Sequence, residues 1–177
     1  ALAPGFMILT PLIQEIPLSK INLETHPFCL VKGEEVARLG ESLAGVGLLN
    51  LPRVQSGPDG RWRPVTGWKR LMAAAGLNWP AVPAAVLPPE TPEAHRLLLY
   101  LHDNAFTRPF SPLEQALLAS RLLAYWDRDT LVAKGLPLLG LPPSPVHLDR
   151  LLAAAALGYA WRELLAEGRL ALTIAPR

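Results

Sequence analysis

The chain has 177 residues, half of them hydrophobic, which is enough apolar side chain to bury the core of one ordinary domain or two small ones. A formal charge of +2 and a pI near 8.9 are too mild for a surface given over to phosphate, so any anion site is local. The single cysteine, Cys29, excludes an internal disulfide, and four scattered histidines lack the spacing of a structural zinc site, which together point to a reducing, cytoplasmic setting.

The apolar opening ALAPGFMILTPLI is short, broken by prolines and without the positive start of a signal peptide, so it reads as the beginning of a truncated chain. No run approaches about 18 uninterrupted apolar residues, so no membrane partner is expected. IQEIPLSKINL (13–23) reads as a strand and its exit. From Glu34, apolar residues at Val36, Leu39, Leu43 and Val46 define one face of a helix ending near Gly47. LPRVQ (51–55) and RWRPVT (61–66) read as two strands joined by the hairpin turn SGPDG. A helix follows Gly67 to about Leu77, and AVPAAVL (81–87) is a further strand.

Beyond residue 87 the chain turns helical. PEAHRLLLYLHDN is one helix, and SPLEQALLASRLLAYW another, with Ser111 as N-cap, Pro112 in the first position and Glu114 completing a capping box. Further periodic pieces cover about 129–139, 144–157 and 160–167. The expected fold class is α+β, with a small mixed-sheet domain over 12–105 followed by an all-helical domain over 106–177.

Two stretches carry chemistry. In PVTGWKRLMAAAGL (64–77) a strand turns through one glycine into a helix with two cations in its first turn. Glycine lets backbone N–H groups approach a ligand, and the helix N-terminus favours an anion there. Lys69 and Arg70 oppose the helix dipole unless an anion offsets them, which makes them candidate phosphate ligands; the alternative is the solvated end of a surface helix. In HDNAFTRPFSPLEQA (102–116), Asp103, Asn104 and Arg108 sit at a helix junction, where a carboxylate, an amide and a guanidinium can hold a metal-bound phosphate; the alternative is C-capping and turn chemistry.

Together these stretches resemble the ParB family. GWKRLMAAAGLNWPAVP is similar to its GERR box with the closing Val-Pro, DNAFTRPFSPLEQA to its ENxxR box and the helix start that follows, and IPLSKINLETHPF and VARLGESLAGVGLLNLPRV to its opening segments. The similarity covers roughly residues 14–125. It implies a ParB/sulfiredoxin-like domain that binds a nucleotide, CTP in the partitioning members, with Mg2+. Carried over, Thr66, Gly67, Trp68, Lys69 and Arg70 would form the nucleotide site, joined by Asp103, Asn104 and Arg108, with Asp103 and Asn104 at the metal. Two positions depart from the pattern: Trp68 stands where the first box has glutamate, and Thr107 where the second has arginine, with Arg108 one place late. Trp68 could stack on a base.

The helical part is similar to the family's helix-turn-helix, with Leu131–Leu139 as first helix, GLPPS as turn and 144–157 as recognition helix. Ser144, His147 and Arg150 are its candidate DNA contacts, alongside Asp149, which repels phosphate. Pro137 is expected to damage the first helix. Trp62, Trp79, Trp126 and Trp161 read as core or rim, His26 and His102 as ordinary polar residues, and Cys29 as a buried thiol. The resemblance implies a DNA-binding, bacterial nucleoid-associated protein with a possible homodimer, in partitioning or transcriptional regulation. The competing readings are a nucleotide-dependent small-molecule kinase, a nuclease, for which no sufficient carboxylate cluster is visible, and a scaffold that has lost nucleotide binding. A sulfiredoxin-type reductase is rejected because the turn carries Trp68 in place of a nucleophilic cysteine.

Overall fold

The computed structural model describes residues 11–24, 33–157, 164 and 169. The chain divides into two compact units, one holding Glu34–Thr91 with the strand before it, the other holding the chain from Pro92 onward. The periodic piece at 160–167, apart from Leu164, and Cys29, His26 and Trp161 lie outside the described residues.

The first unit is built on a four-stranded sheet in the order β1-β4-β2-β3, with β1 Leu12–Pro17, β2 Arg53–Ser56, β3 Trp62–Thr66 and β4 Ala81–Leu87. β1 runs antiparallel to β4 and β2 antiparallel to β3, while β2 and β4 are parallel, so the sheet is mixed as expected. The hairpin closes through Gly57 N–H to Arg61 O at 2.7 Å, with Gly60 at φ 73°. Helix α1 spans Gly33–Val46 and α2 Trp68–Gly76. The alternation of β4 and the three- and four-residue spacing of the helices meet in one core: Val54, Val82 and Ala84 pack with Leu71 and Ala74 of α2 and Leu43 of α1. Gly47, at φ 73°, ends α1 where the sequence placed the stop.

The second unit contains α3 Glu93–Ala105, α4 Pro112–Leu122, α5 Arg128–Thr130, a π-helical segment Leu131–Gly135, α6 Leu136–Leu138 and α7 Pro145–Ala155. Its core joins Leu97 and Leu101 of α3 to Leu118 and Leu122 of α4, Leu136, and Leu148 and Leu151 of α7. By this packing α3 belongs with the helices, although the sequence had grouped it with the sheet. The capping box is formed: Glu114 N–H donates to Ser111 Oγ at 3.3 Å and Ser111 N–H to Glu114 Oε2 at 2.9 Å. Asp127 caps α5 in turn, accepting from Thr130 N–H at 2.7 Å.

As expected, no regular α-helix spans 131–139: a π-helical segment, Leu131–Gly135, leads into the three-residue α6 that contains Pro137. A proline removes one N–H and crowds the carbonyl four residues back. Here the turn before it is π-helical, and Pro137 falls in the first positions of α6, where a missing N–H costs least. Gly135 closes the π turn, and a Cβ there would collide with Leu131. Trp62 and Trp79 pack against the sheet core and Trp126 against the helical core. No helix among the described residues is long and apolar enough to cross a membrane.

Candidate phosphate turn, box residues and recognition helix

The turn between β3 and α2 is built on Gly67, the N-cap of α2, at φ 79° and ψ 21°. Two constraints select glycine: the left-handed backbone, and Pro52, whose Cβ and Cα would lie 2.8 and 2.9 Å from any Cβ added there. No side chain caps α2, so the first turn receives no side-chain acceptor of its own. Immediately before it, Thr66 is 1% exposed and its Oγ1 has no hydrogen-bond partner among the described residues. Buried hydroxyls are nearly always paired, because leaving one unpaired costs about 1–3 kcal/mol.

Both cations of the first turn are engaged. Lys69 Nζ pairs with the Glu35 carboxylate of α1, and Arg70 Nη1 donates to the Asn50 carbonyl at 2.6 Å. The Arg70 guanidinium folds back over the glycine, its Cζ 3.4 Å from the position a Gly67 Cβ would take. These are not chain ends reaching into solvent. Trp68 corrects one expectation: at 8% exposure its indole is a packing group, and it does not display a face for base stacking. Thr66, Gly67, Lys69 and Arg70 are thus brought together by the turn. A groove of about 360 Å³ between α1 and α2, lined by Val36, Gly40, Ala73 and Gly76, lies along the C-terminal half of α2 and is separate from this turn.

In the helical unit, Asp103 and Asn104 occupy the last turn of α3 and Arg108 the loop after it. Asn104 Nδ2 donates to the Tyr100 carbonyl at 2.8 Å, and its Oδ1 accepts from Arg108 Nε at 3.1 Å. Arg108 then reaches Glu114 with both terminal nitrogens, Nη1 to Oε2 at 2.9 Å and Nη2 to Oε1 at 2.6 Å. It also donates to Pro109 O and the Tyr100 hydroxyl and lies 5.5 Å from the Phe110 ring centroid. Every N–H of the guanidinium therefore has an acceptor within the unit. Thr107, at the place of the box arginine, donates its hydroxyl to the Asp103 and Asn104 carbonyls at 3.1 Å each, closing α3.

Glu114 is the centre of this cluster, 2% exposed. Burial alone would raise its carboxyl, but the Arg108 hydrogen bonds, the Ser111 N–H, the Arg108 charge and the Tyr100 hydroxyl outweigh burial and hold it below the ordinary value of 4.5. The capping-box pattern in the sequence identified Glu114 as a cap; nothing in the pattern identified it as the partner of Arg108. Glu35, Asn50 and Pro52 were likewise missed, since they come from elements distant in sequence. Among the described residues no group of three or more His, Cys, Asp or Glu side chains is arranged to hold a metal ion.

On α7, Ser144 is the N-cap residue without a side-chain cap bond, His147 lies one turn on and Arg150 another, the three-residue spacing that shares a face. Arg150 is exposed, and His147 Nδ1 is buried without a partner among the described residues. Asp149 is paired with Arg128 at 2.5 Å, which offsets the negative charge the sequence had set against phosphate.

No protein-family model matches the chain. The fold is ParB-like: the chain superposes on the crystal structure of the C-terminally truncated ParB of Caulobacter crescentus complexed to the centromeric parS site, with a TM-score of 0.53, 21% identity, and coverage of 90% of this chain and 80% of that one. A second structure of that ParB, complexed with CTP-gamma-S, gives a TM-score of 0.48 at 23% identity, covering 92% of this chain and 89% of that one. In sequence, the chain is 32% identical over 160 residues to the uncharacterized protein YubM of Escherichia coli K12, and equally to that of Escherichia coli O157:H7. The match takes in 86% of this chain and spans only 22% of the length of those relatives.

Proposed function

We propose that the sheet unit binds a nucleoside triphosphate through its phosphates on the Thr66–Arg70 turn, and that the helical unit contacts DNA through α7. The observation that carries the first half is the uncapped start of α2 at a positive-φ glycine, pressed against Pro52 beneath two cations and beside the Thr66 hydroxyl, which is unpaired among the described residues. An anion there would accept from the first-turn N–H groups and from Arg70, whose planar fork suits phosphate oxygens, while Lys69 acts as a point charge. The resemblance to the ParB family favours CTP as the nucleotide. Mg2+ bound to the phosphates belongs to the same reading.

Calorimetric titration of the chain with CTP, ATP, GTP and UTP, with and without Mg2+, tests this half. Saturable binding is expected, weakened about tenfold or more by Arg70→Ala, the loss of one charge-assisted hydrogen bond. No binding at millimolar nucleotide would overturn it.

The DNA half is supported by the fold shared with a parS-bound ParB and by an exposed Arg150 on a helix whose Asp149 is neutralised. Arg150→Ala is expected to weaken DNA binding about equally across sequences and to reduce its salt slope by about 1, measured by fluorescence anisotropy at several salt concentrations. The reading carries with it a homodimer on the bacterial nucleoid, in the cytoplasm, acting in partitioning or transcriptional regulation. The internal commitment of Arg108 favours the scaffold as second reading, and the same nucleotide titration separates the two.

A further inference from the structure

We propose that Glu35 is a resident anion of the phosphate turn, holding Lys69 until a phosphate displaces it and so setting both the affinity and the charge a ligand must carry. The inference rests on the nucleotide reading of the turn and adds a residue to it from a different helix.

Of the two cations in the first turn of α2, Arg70 meets a neutral carbonyl, whereas Lys69 meets a carboxylate 34 residues away in sequence. The two contacts have different consequences. A neutral carbonyl does not neutralise the guanidinium it accepts from. A carboxylate neutralises the ammonium, so a phosphate must compete for it. The pair is also open to competition: the Lys69 side chain is 26% exposed and that of Glu35 50%, and α1 presents Glu35 from its first turn, where its carboxylate is favoured by the helix dipole even when Lys69 departs. Exposed pairs of this kind are weak, so exchange of Lys69 from Glu35 to a ligand is reversible.

The consequence is selection by charge. A monoanion gains little by replacing one carboxylate with another singly charged oxygen group. A polyphosphate brings several negative charges to the same ammonium and to the helix N-terminus, and wins. Removing the Glu35 charge should therefore tighten binding of all phosphates and narrow the difference between mono- and triphosphates.

The test is a double-mutant cycle on the full chain, with CTP, CMP and inorganic tripolyphosphate as the titrants. Glu35→Gln, which keeps the size and the helix position, is expected to bind CTP and tripolyphosphate about threefold to tenfold tighter, the effect of one nearby like charge near a protein surface. It is expected to bring CMP closer to CTP. In a Lys69→Gln background the same change should give little or no gain, because the carboxylate then holds nothing the ligand needs. If Glu35→Gln leaves affinity unchanged or weakens it while the parent chain binds CTP, Glu35 is no competitor and this inference fails alone. If the gain persists undiminished without Lys69, Glu35 acts by direct repulsion and the exchange is wrong. If neither parent nor variant binds any of the three, the nucleotide reading fails and this inference with it.

Discussion

Arg108→Met is expected to destabilise the helical unit by about 2–4 kcal/mol, lowering the melting temperature by roughly 5–15 °C for a chain of this size. The cause is what remains behind. Glu114 is 2% exposed, and the forked Arg108 contact is what makes its charge tolerable there. Removing one partner of a buried pair leaves an uncompensated charge, which costs more than the pair contributed. Combining Arg108→Met with Glu114→Gln should therefore lose less than Arg108→Met alone, as read by thermal melts followed by circular dichroism; equal losses would show that packing, and not the stranded charge, governs the effect.

The pH dependence follows from the same carboxyl. Its folded pKa lies below the ordinary 4.5, so ionised Glu114 contributes stability that is complete above that value and is lost as the pH falls through the lowered folded pKa. The stability gap between the parent chain and Glu114→Gln should be flat at neutral pH and close only in acid. Because one carboxylate both accepts from the Ser111 N–H and holds Arg108, the α4 cap and the loop before it should loosen together.

Gly67→Ala is the second large effect, and Gly60→Ala is its control. Both glycines have positive φ, 79° and 73°, but a Cβ at Gly60 meets nothing within 4 Å, while at Gly67 it meets Pro52 at 2.8 Å. Gly60→Ala should cost about 1 kcal/mol, the conformational penalty alone. Gly67→Ala adds a collision with a ring and backbone that have no room to give, for a total of about 2–4 kcal/mol. Urea denaturation midpoints at unchanged slope measure both. Nucleotide binding should survive Gly60→Ala and be abolished by Gly67→Ala, since relief of the collision moves the start of α2. Equal costs for the two substitutions would remove Pro52 from the account.

Much of the fold was legible because its signals are local. The strand AVPAAVL appears as β4 with the same ends, the left-handed Gly47 stops α1, and Ser111, Pro112 and Glu114 begin α4 with both capping-box bonds made. The placement of α3 was not legible: the periodicity of Leu97 and Leu101 says that one face is buried but not against what. Trp68 shows the same limit, since a turn predicts where a residue sits along the chain and not whether its ring points inward. At the candidate site, Gly67, Lys69 and Arg70 were identified from sequence and their counterparts were not, because Glu35 and Asn50 reach them only through tertiary packing. Arg108 differs for a geometric reason. One position after the expected place is enough, at the end of a helix, to aim a side chain at Glu114.

The π segment at Leu131–Gly135 sets the phase of everything in the helical run that follows it. Each residue of an α-helix advances about 100° around the axis, so the extra residue in a π turn is a rotation inserted into the chain. Leu131 at its start and Leu136 and Leu139 after it are all fully or almost fully buried, and they reach the core only with that rotation in place. The segment is therefore intolerant of changes in length. A relative that lost one residue between Leu131 and Pro137 would need a compensating insertion before Leu139, and a relative that kept the length could vary the exposed Ala133 and Lys134 freely.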